Sequence, residues 1–542
     1  ILVGTRTGLN TISSNLKVAE VSAIPSNTNN SYSCIAPIND DEYFFGSFSF
    51  GVFSFDFKTN KPTGSFNSRN GLTNNPIISM IKDREGNIWI GTDGAGVFKF
   101  VNHKFMYYTK ANGLLDNYIN AVGEDTNGNL WLALSSNGLA RVNKQEIISY
   151  KAKTAGEKNQ LPDNNINTIL SDKDGKVYFG TNEGLCYFLN EKFTIVQDEK
   201  IRNKYISCLY KDSKGDLWIG TNEGVFVLSE KGVNPVSKVN STTEDGFQLL
   251  ILFITEDKFG RMVFGTENGI LIYDGEKVLN FNDKNGFINS RVICAVLDSK
   301  KNLWLGTSEG LFLYNYGVFS KISKKHGYTS GFINFLITDS NDNLYIGSNN
   351  GVDILNIKSF YNNKNELKHL GKDDGLLNLE SNANASCISK DGRILIGTIK
   401  GLEIYNPKLD FKNTLEPRVL INDVKLFYGQ EDIMPYANGV DSVSLLPNNL
   451  VLSATKNNLT FKYVGISLLA PEKVMYKYML KGLDETWTPD VSKNEVTYPS
   501  LPPGTYTFMV KSMNNDGVWN ENAASFAFEI LPPWYKTAWF YS

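Results

Sequence analysis

The stretch Gly306-Thr307-Ser308-Glu309-Gly310 satisfies G-x-S-x-G, the pattern in which a serine hydrolase presents its nucleophile on a strand-to-helix turn. Gly180-Thr181-Asn182-Glu183-Gly184 and Gly220-Thr221-Asn222-Glu223-Gly224 match it everywhere except at the serine, and no helical pattern follows. Ser308 therefore reads as a turn residue between strands. Asp172-Lys173-Asp174-Gly175-Lys176 and Asp125-Thr126-Asn127-Gly128-Asn129 resemble the opening of a calcium loop, but they are shorter than D-x-[DN]-x-[DN]-G and no bidentate glutamate follows. An aspartate capping a tight turn, with glycine at positive φ, explains them better. The histidines, His103, His326 and His369, lack H-E-x-x-H spacing, which argues against a zinc site or a histidine-based triad. Acid pairs such as Asp40-Asp41 and Asp373-Asp374 are adjacent in polar loops, from which glycosidase geometry cannot be read. The five cysteines contain no C-x-x-C, so zinc and redox motifs are absent, while an exporting compartment remains allowed. No catalytic residue, metal ligand or cofactor is assigned.

The elements that position these residues come from a repeat. It reads Asp, two variable residues, Gly, a polar residue, an apolar-aromatic-apolar triplet, then Gly-Thr and a Gly-apolar pair. Asp83-Arg84-Glu85-Gly86-Asn87-Ile88-Trp89-Ile90-Gly91-Thr92 and Asp212-Ser213-Lys214-Gly215-Asp216-Leu217-Trp218-Ile219-Gly220-Thr221 show it most clearly. The central position falls at Gly4, Gly46, Gly91, Ala133, Gly180, Gly220, Gly265, Gly306, Gly347 and Gly397. A mean spacing of about 44 residues suits a four-stranded propeller blade. In the third unit Ile77 to Ile81 predicts an inner strand, Asp83 to Gly86 a hairpin turn, and Ile88 to Ile90, Val97 to Phe100 and Lys104 to Tyr108 three further strands. Such a sheet is apolar on both faces and needs a neighbour on each side, which a ring supplies. Cys34, Cys208 and Cys294 precede their glycine by the same interval as Ser79, Ala121 and Thr168, so the inner strand is expected to want a small side chain there.

Rings usually hold about four to eight blades, so ten units point to two rings. The simplest partition gives an N-terminal partial propeller of about three blades over 1–105 and a complete seven-bladed propeller over 106–408. A closure in which a strand from one ring completes the other is the alternative. After a linker at Asn413 to Pro417, strands are expected at Val419 to Ile421, Ser442 to Leu445, Asn458 to Val464, Met475 to Leu480, Thr505 to Val510 and Ala524 to Phe528. This pattern suits an immunoglobulin- or fibronectin-III-like β-sandwich over 416–531, giving an all-β chain. With 54 Lys and Arg against 57 Asp and Glu and no long basic run, the sequence argues against a nucleic-acid partner. The aromatic run from Trp534 to Tyr541, within 532–542, reads either as the belt at the start of a membrane helix or as a tail packing on its own domain.

These motifs carry a specific likeness. The D-x-x-G-N-I-W-I-G-T units resemble the two-component regulator propeller repeat of periplasmic sensors in bacterial hybrid histidine kinases. Tyr476 to Trp487, Leu501-Pro502-Pro503-Gly504-Thr505-Tyr506 and Asn515-Asp516-Gly517-Val518-Trp519-Asn520 resemble the triple-tyrosine (Y_Y_Y) domain that follows such propellers. The resemblance implies a sensor of oligosaccharides in Bacteroides-like bacteria, periplasmic and part of an inner-membrane protein, homodimeric, and signalling through a C-terminal membrane helix to a kinase. Tyr476, Tyr478 and Tyr506 are expected to serve the sandwich itself.

On this reading the remaining chemistry is binding. Loops between successive blades share one face of the ring with the turns that follow each Gly-Thr, and sugars are held by aromatic stacking together with planar polar groups. The candidates are Tyr118, Arg202, Tyr205, Phe247, Arg291 and Tyr328, with Arg6 and Phe48 in turns that otherwise carry small polar residues. A propeller-fold polysaccharide lyase or hydrolase, and a protein-interaction scaffold, are the competing classes, and fold alone does not decide among them.

Overall fold

One carboxylate organises the hairpin in most of the repeats, with Asn39 and Ser389 in its place in two others. Asp125 Oδ1 accepts the backbone N–H groups of Asn127 and Asn129, both at 2.9 Å, while Oδ2 accepts Asn129 Nδ2 and the indole N–H of Trp131 at 2.8 and 3.0 Å. Asp83, Asp212 and Asp298 likewise take the indole N–H of Trp89, Trp218 and Trp304, and Asp339 takes the Tyr345 hydroxyl. The acid thus closes the hairpin and fixes the large aromatic side chain of the second strand in the same step.

The computed structural model describes all residues except 6–7, 14, 16, 21–30, 68–71, 73–75, 102–103, 144–145, 153–160, 242–248, 283–286, 288–289, 316, 324–327, 329–330, 365–366, 534 and 536–542. Two compact units result: residues 1–102 together with 411–542, and residues 103–410.

The second unit is the seven-bladed ring. Its first blade comprises Ile119–Glu124, Leu130–Leu134, Gly138–Val142 and Ile147–Tyr150, and the next five repeat that antiparallel order. The seventh takes Ser381–Ile388, Ile394–Thr398 and Gly401–Tyr405, and its outer strand is Phe105–Tyr108, with Phe105 opposite Tyr405 and Tyr108 opposite Leu402. Inner strands of successive blades touch all the way round, and the inner strands of the seventh and first also touch, so the ring is closed. The strand expected as the fourth of the third unit therefore belongs to the last blade. Pairing there gives the otherwise open edge of Gly401–Tyr405 a partner. Asp410 locks the closure: it pairs with Lys104 and Lys368 and accepts the Tyr405 hydroxyl.

Blades fit together at the central glycine. A Cβ at Gly306 would lie 2.4 Å from Cys294 Sγ and 2.7 Å from Cγ2 of Ile333 in the next blade; Gly180, Gly220 and Gly397 face Ile206, Ile251 and Ile119 in the same way. The expectation of a small inner-strand residue fails at Phe253 and Phe335, whose rings lie over Gly265 and Gly347 where a Cβ would come within 2.1 and 2.0 Å. Room at this contact is made by the glycine of the second strand, not by its inner-strand partner. The inner strands also bulge after their first residue, and polar side chains there reach the neighbouring blade: Asn167 Nδ2 donates to Ile206 O at 3.0 Å and Asn382 Nδ2 to Ile119 O at 2.7 Å.

The first unit contains three N-terminal sheets and the sandwich. The sheets are Leu2–Gly4, Leu9–Ile12 and Val18–Glu20; then Tyr32–Pro37, Glu42–Ser47, Gly51–Asp56 and Lys61–Phe66; then Ile77–Lys82, Ile88–Thr92 and Val97–Phe100. The sandwich pairs the sheet of Arg418–Leu426, Leu459–Ile466 and Glu495–Tyr498 with that of Leu450–Leu452, Ala524–Ile530, Gly504–Met513 and Met475–Lys481 around one core. Phe461 stacks on Phe508 at 4.2 Å, Tyr476 OH accepts the Gly465 N–H, and Tyr506 OH donates to Pro502 O at 2.8 Å. The strand expected at Ser442 to Leu445 is instead a turn, because Asp441 Oδ1 captures the N–H groups of Val443 and Ser444 and Leu445 takes φ of 59°. Leu450–Leu452 and Glu495–Tyr498 supply strands where none was expected. Glu85 of the third sheet accepts the Leu469 N–H at 2.6 Å, and Lys99 Nζ donates to Leu468 O and Leu469 O, so that sheet grips a sandwich loop. Among the described residues no helix is long and apolar enough to cross a membrane.

Gly306→Ala is expected to destabilise the ring by about 1–3 kcal/mol, the usual range for overpacking a well-filled interior. Urea unfolding measures this, and an unchanged midpoint would show that the neighbouring Ile333 yields freely.

Candidate binding face of the seven-bladed ring

The turn after the second strand is built by a hydroxyl in six of the seven blades, the first having Leu134 there. Thr181 Oγ1 donates to Gly184 O at 2.8 Å and accepts the Glu183 N–H; Thr221, Thr266, Thr307, Ser348 and Thr398 donate to the corresponding glycine carbonyl. Ser308 lies in such a turn between Leu303–Thr307 and Gly310–Asn315, and its hydroxyl contacts Ser290 at 3.0 Å. The surroundings are strand, turn, strand, which is not the setting of a nucleophile elbow.

In four blades this turn also holds the residue that precedes the blade's own inner strand. The N–H of Ser135 donates to Tyr118 O, Asn182 to Asn165 O, Asn222 to Tyr205 O and Ser308 to Arg291 O, at 3.0 to 3.4 Å. Around the ring the residues directly before the inner strands are Tyr118, Asn165, Tyr205, Leu250, Arg291, Phe332 and Glu380. Tyr118 is 42% exposed and Tyr205 39%. Arg291 Nε pairs at 3.3 Å with Glu267, the first turn residue after Thr266 in the preceding blade. Burial pushes the Tyr205 phenol above its ordinary pKa, and the charge of Arg291 opposes that shift. Aromatic, amide and charged side chains, with the aliphatic Leu250 among them, thus share one register position on one end of the ring.

Three of the sequence candidates, Tyr118, Tyr205 and Arg291, occupy this position. Arg202 is exposed in the same inter-blade loop as Tyr205, with its N–H on Asp198 O. Tyr328 is corrected: only 3% exposed, it packs in the core between the fifth and sixth blades. It follows a glycine as Leu114, Phe287 and Leu376 do, and these are buried too, so the Gly-apolar pair marks a plug rather than a ligand contact. Phe48 is 52% exposed but stands in the other unit. Arg6 and Phe247 lie outside the described residues. Asn165, Phe332, Glu380 and Glu267 went unnoticed in the sequence; the first two stand fifteen residues before their central glycine, as Tyr205 and Arg291 do.

Two interior features lie behind this face. A cavity of about 500 Å³ runs among the inner strands, lined in part by Cys208, Cys294, Cys387 and Asn384. Burial pushes the Cys208 and Cys387 thiols up to about 12, which keeps them protonated. Asn384, at φ of 55°, reaches from the widened bulge of the seventh blade to Leu252 O and Ile293 O at 3.2 and 2.9 Å. Glu403, fully buried, accepts the N–H groups of Asn378 and Leu377 and so anchors the loop that carries Glu380. Burial raises its pKa to about 7, outweighing those two hydrogen bonds.

Comparisons with known proteins address the whole arrangement. The Two component regulator propeller model matches residues 71–94, 160–183 and 200–223, and the Y_Y_Y domain model matches 468–531. Histidine kinase P4 of Formosa agariphila is 26% identical over 171 residues, 31% of this chain; the chain spans only 12% of that relative's length. A crystal structure described as the extracellular domain of a hybrid two component system, BT3049, from B. thetaiotaomicron superposes with a TM-score of 0.75 at 25% identity, covering 98% of this chain and 71% of that one.

Because the folded state holds the Glu403 proton more tightly than the unfolded chain, ring stability should fall as pH rises from about 4.5 to about 7. Thermal unfolding across that window should show the decline, and Glu403→Gln should flatten it; an equal slope in the variant would assign the decline to another group. In its propeller repeats, its Y_Y_Y-matching terminal domain and its superposition on 71% of an extracellular domain of a hybrid two component system, the chain is similar to the extracellular sensor regions of bacterial two-component systems.

Proposed function

We propose that this region binds an oligosaccharide on the ring face bearing Tyr118, Tyr205 and Arg291, without cleaving it, and passes the event through the sandwich to a histidine kinase. The reading includes a periplasmic setting, a homodimer, attachment to the inner membrane by a helix beyond the sandwich, and control of glycan-utilisation genes. One observation supports it above the others: seven equivalent positions hold three aromatic side chains, one amide, one acid, one base and the aliphatic Leu250, although the strands and turns beneath them are nearly uniform. Uniform parts maintain the ring, whereas varied chemistry at one register suits recognition of an irregular polar ligand with apolar faces. For such a sensor, binding must differ between two states to drive a movement.

The test is thermal unfolding and calorimetry of the chain against a panel of oligosaccharides, with product analysis of the same samples. A glycan that binds should raise the unfolding temperature with concentration and be recovered intact. Tyr118→Ala and Tyr205→Ala should each weaken binding roughly tenfold, about 1.4 kcal/mol, with little change in stability since both rings are substantially exposed. Cleavage of any panel member would replace the sensor reading with the enzyme one.

A further inference from the structure

The outer face of the four-stranded sandwich sheet carries a charge arrangement that folding alone does not favour. Lys477 stands directly opposite Lys511 on the adjacent antiparallel strand, with Met475 opposite Met513 on one side and Met479 opposite Met509 on the other. Alternation places these six side chains outward, because Tyr476, Leu480, Phe508 and Val510 on the same strands enter the core. Like charges directly across a strand pair are destabilising. Yet among the described residues neither ammonium has a carboxylate ion partner.

Both cations lie against indoles instead. Lys477 Nζ is 4.2 Å from the ring centre of Trp519 and 5.9 Å from that of Trp487, and Lys511 Nζ is 6.0 Å from Trp487. Trp519 is fixed by its bridge to Met513, and Trp487 by its neighbour Thr488, whose N–H donates to Tyr478 O while its hydroxyl accepts the Tyr478 N–H. Both tryptophans are partly exposed. Indole faces steady an ammonium without neutralising it. The result is a preorganised pair of positive charges beside an aromatic surface, which an oxyanion would complete through charge-assisted hydrogen bonds.

We propose that Lys477, Lys511, Trp487 and Trp519 form a second binding site, for an acidic oligosaccharide. The two ammonium groups take a carboxylate or sulfate of one sugar, and Trp487 lies against its ring. That the anion is borne by a sugar rests on the sensor reading above; the anion site itself does not.

Calorimetry with the full chain, at low and raised salt, tests this with four probes: a sulfated uronate disaccharide, its desulfated form, a neutral disaccharide of the same linkage, and inorganic sulfate. The variants are Lys477→Gln combined with Lys511→Gln, Trp487→Ala, and Tyr205→Ala in the ring. Salt-sensitive binding of one or both acidic disaccharides is expected, weakened at least tenfold by the double glutamine variant and by Trp487→Ala but unchanged by Tyr205→Ala. The first two probes distinguish sulfate from carboxylate. The double variant should unfold at the same temperature or higher, since a repulsive pair is removed, so lost binding would not reflect lost folding. Equal affinity in the double variant, loss only with Tyr205→Ala, no binding of either acidic disaccharide, or sulfate alone binding as tightly as the sugars would overturn the proposal. Failure of the ring reading would appear separately, as a neutral probe indifferent to Tyr205→Ala.

Discussion

A glycine that cannot take a methyl group lies at the centre of the contact between blades. Its missing side chain lets the isoleucine or valine that opens the next inner strand settle onto the second strand, as Ile333 does on Gly306 and Ile206 on Gly180. Close packing at this point sets how near the sheets come and lets seven of them close. It also explains why large residues are tolerated opposite: Phe253 and Phe335 use the same vacancy from their own blade. Where Ala133 replaces the glycine, it faces the small Ala121.

With the blade contact settled and the hairpins held by aspartate and threonine, the loops on the candidate face are released from structural duty at particular positions. In four blades the residue before the inner strand contributes its carbonyl to the fold, and in Tyr118, Tyr205 and Arg291 the side chain reaches outward. The residue after the loop glycine has the opposite fate, because its side chain fills the wedge between neighbouring blades, as Tyr328 does. Neighbouring aromatics in one loop can therefore serve core and surface respectively.

The sandwich divides its aromatics by the same logic. Tyr476 and Tyr506 turn inward and spend their hydroxyls on backbone groups: Tyr476 ties its strand to Gly465 of the facing sheet, and Tyr506 fastens the loop that leads into its own strand. Trp487 and Trp519 turn outward and carry lysines on their faces. The inward set belongs to the packed core of the domain, while the outward set lies beside lysines whose charge nothing in the fold requires.

The repeat, the all-β class and the seven-bladed ring were legible in the sequence because the signals are local. Asp125, Asn129 and Trp131, or Thr181 and Gly184, find their partners within a few residues, so spacing alone reveals them. The turn role of Ser308 was legible for the same reason. The strand that closes the ring was legible only as an alternative, since Phe105–Tyr108 pairs with residues some three hundred positions away and its own sequence would fit either sheet. The fate of Tyr328, the turn at Ser442 to Leu445, and the meeting of Lys477 and Lys511 between two tryptophans were not legible. Local chemistry fixed which elements form; only the tertiary structure, by bringing distant strands into register, decided which side chains are packed away and which are left to meet a ligand.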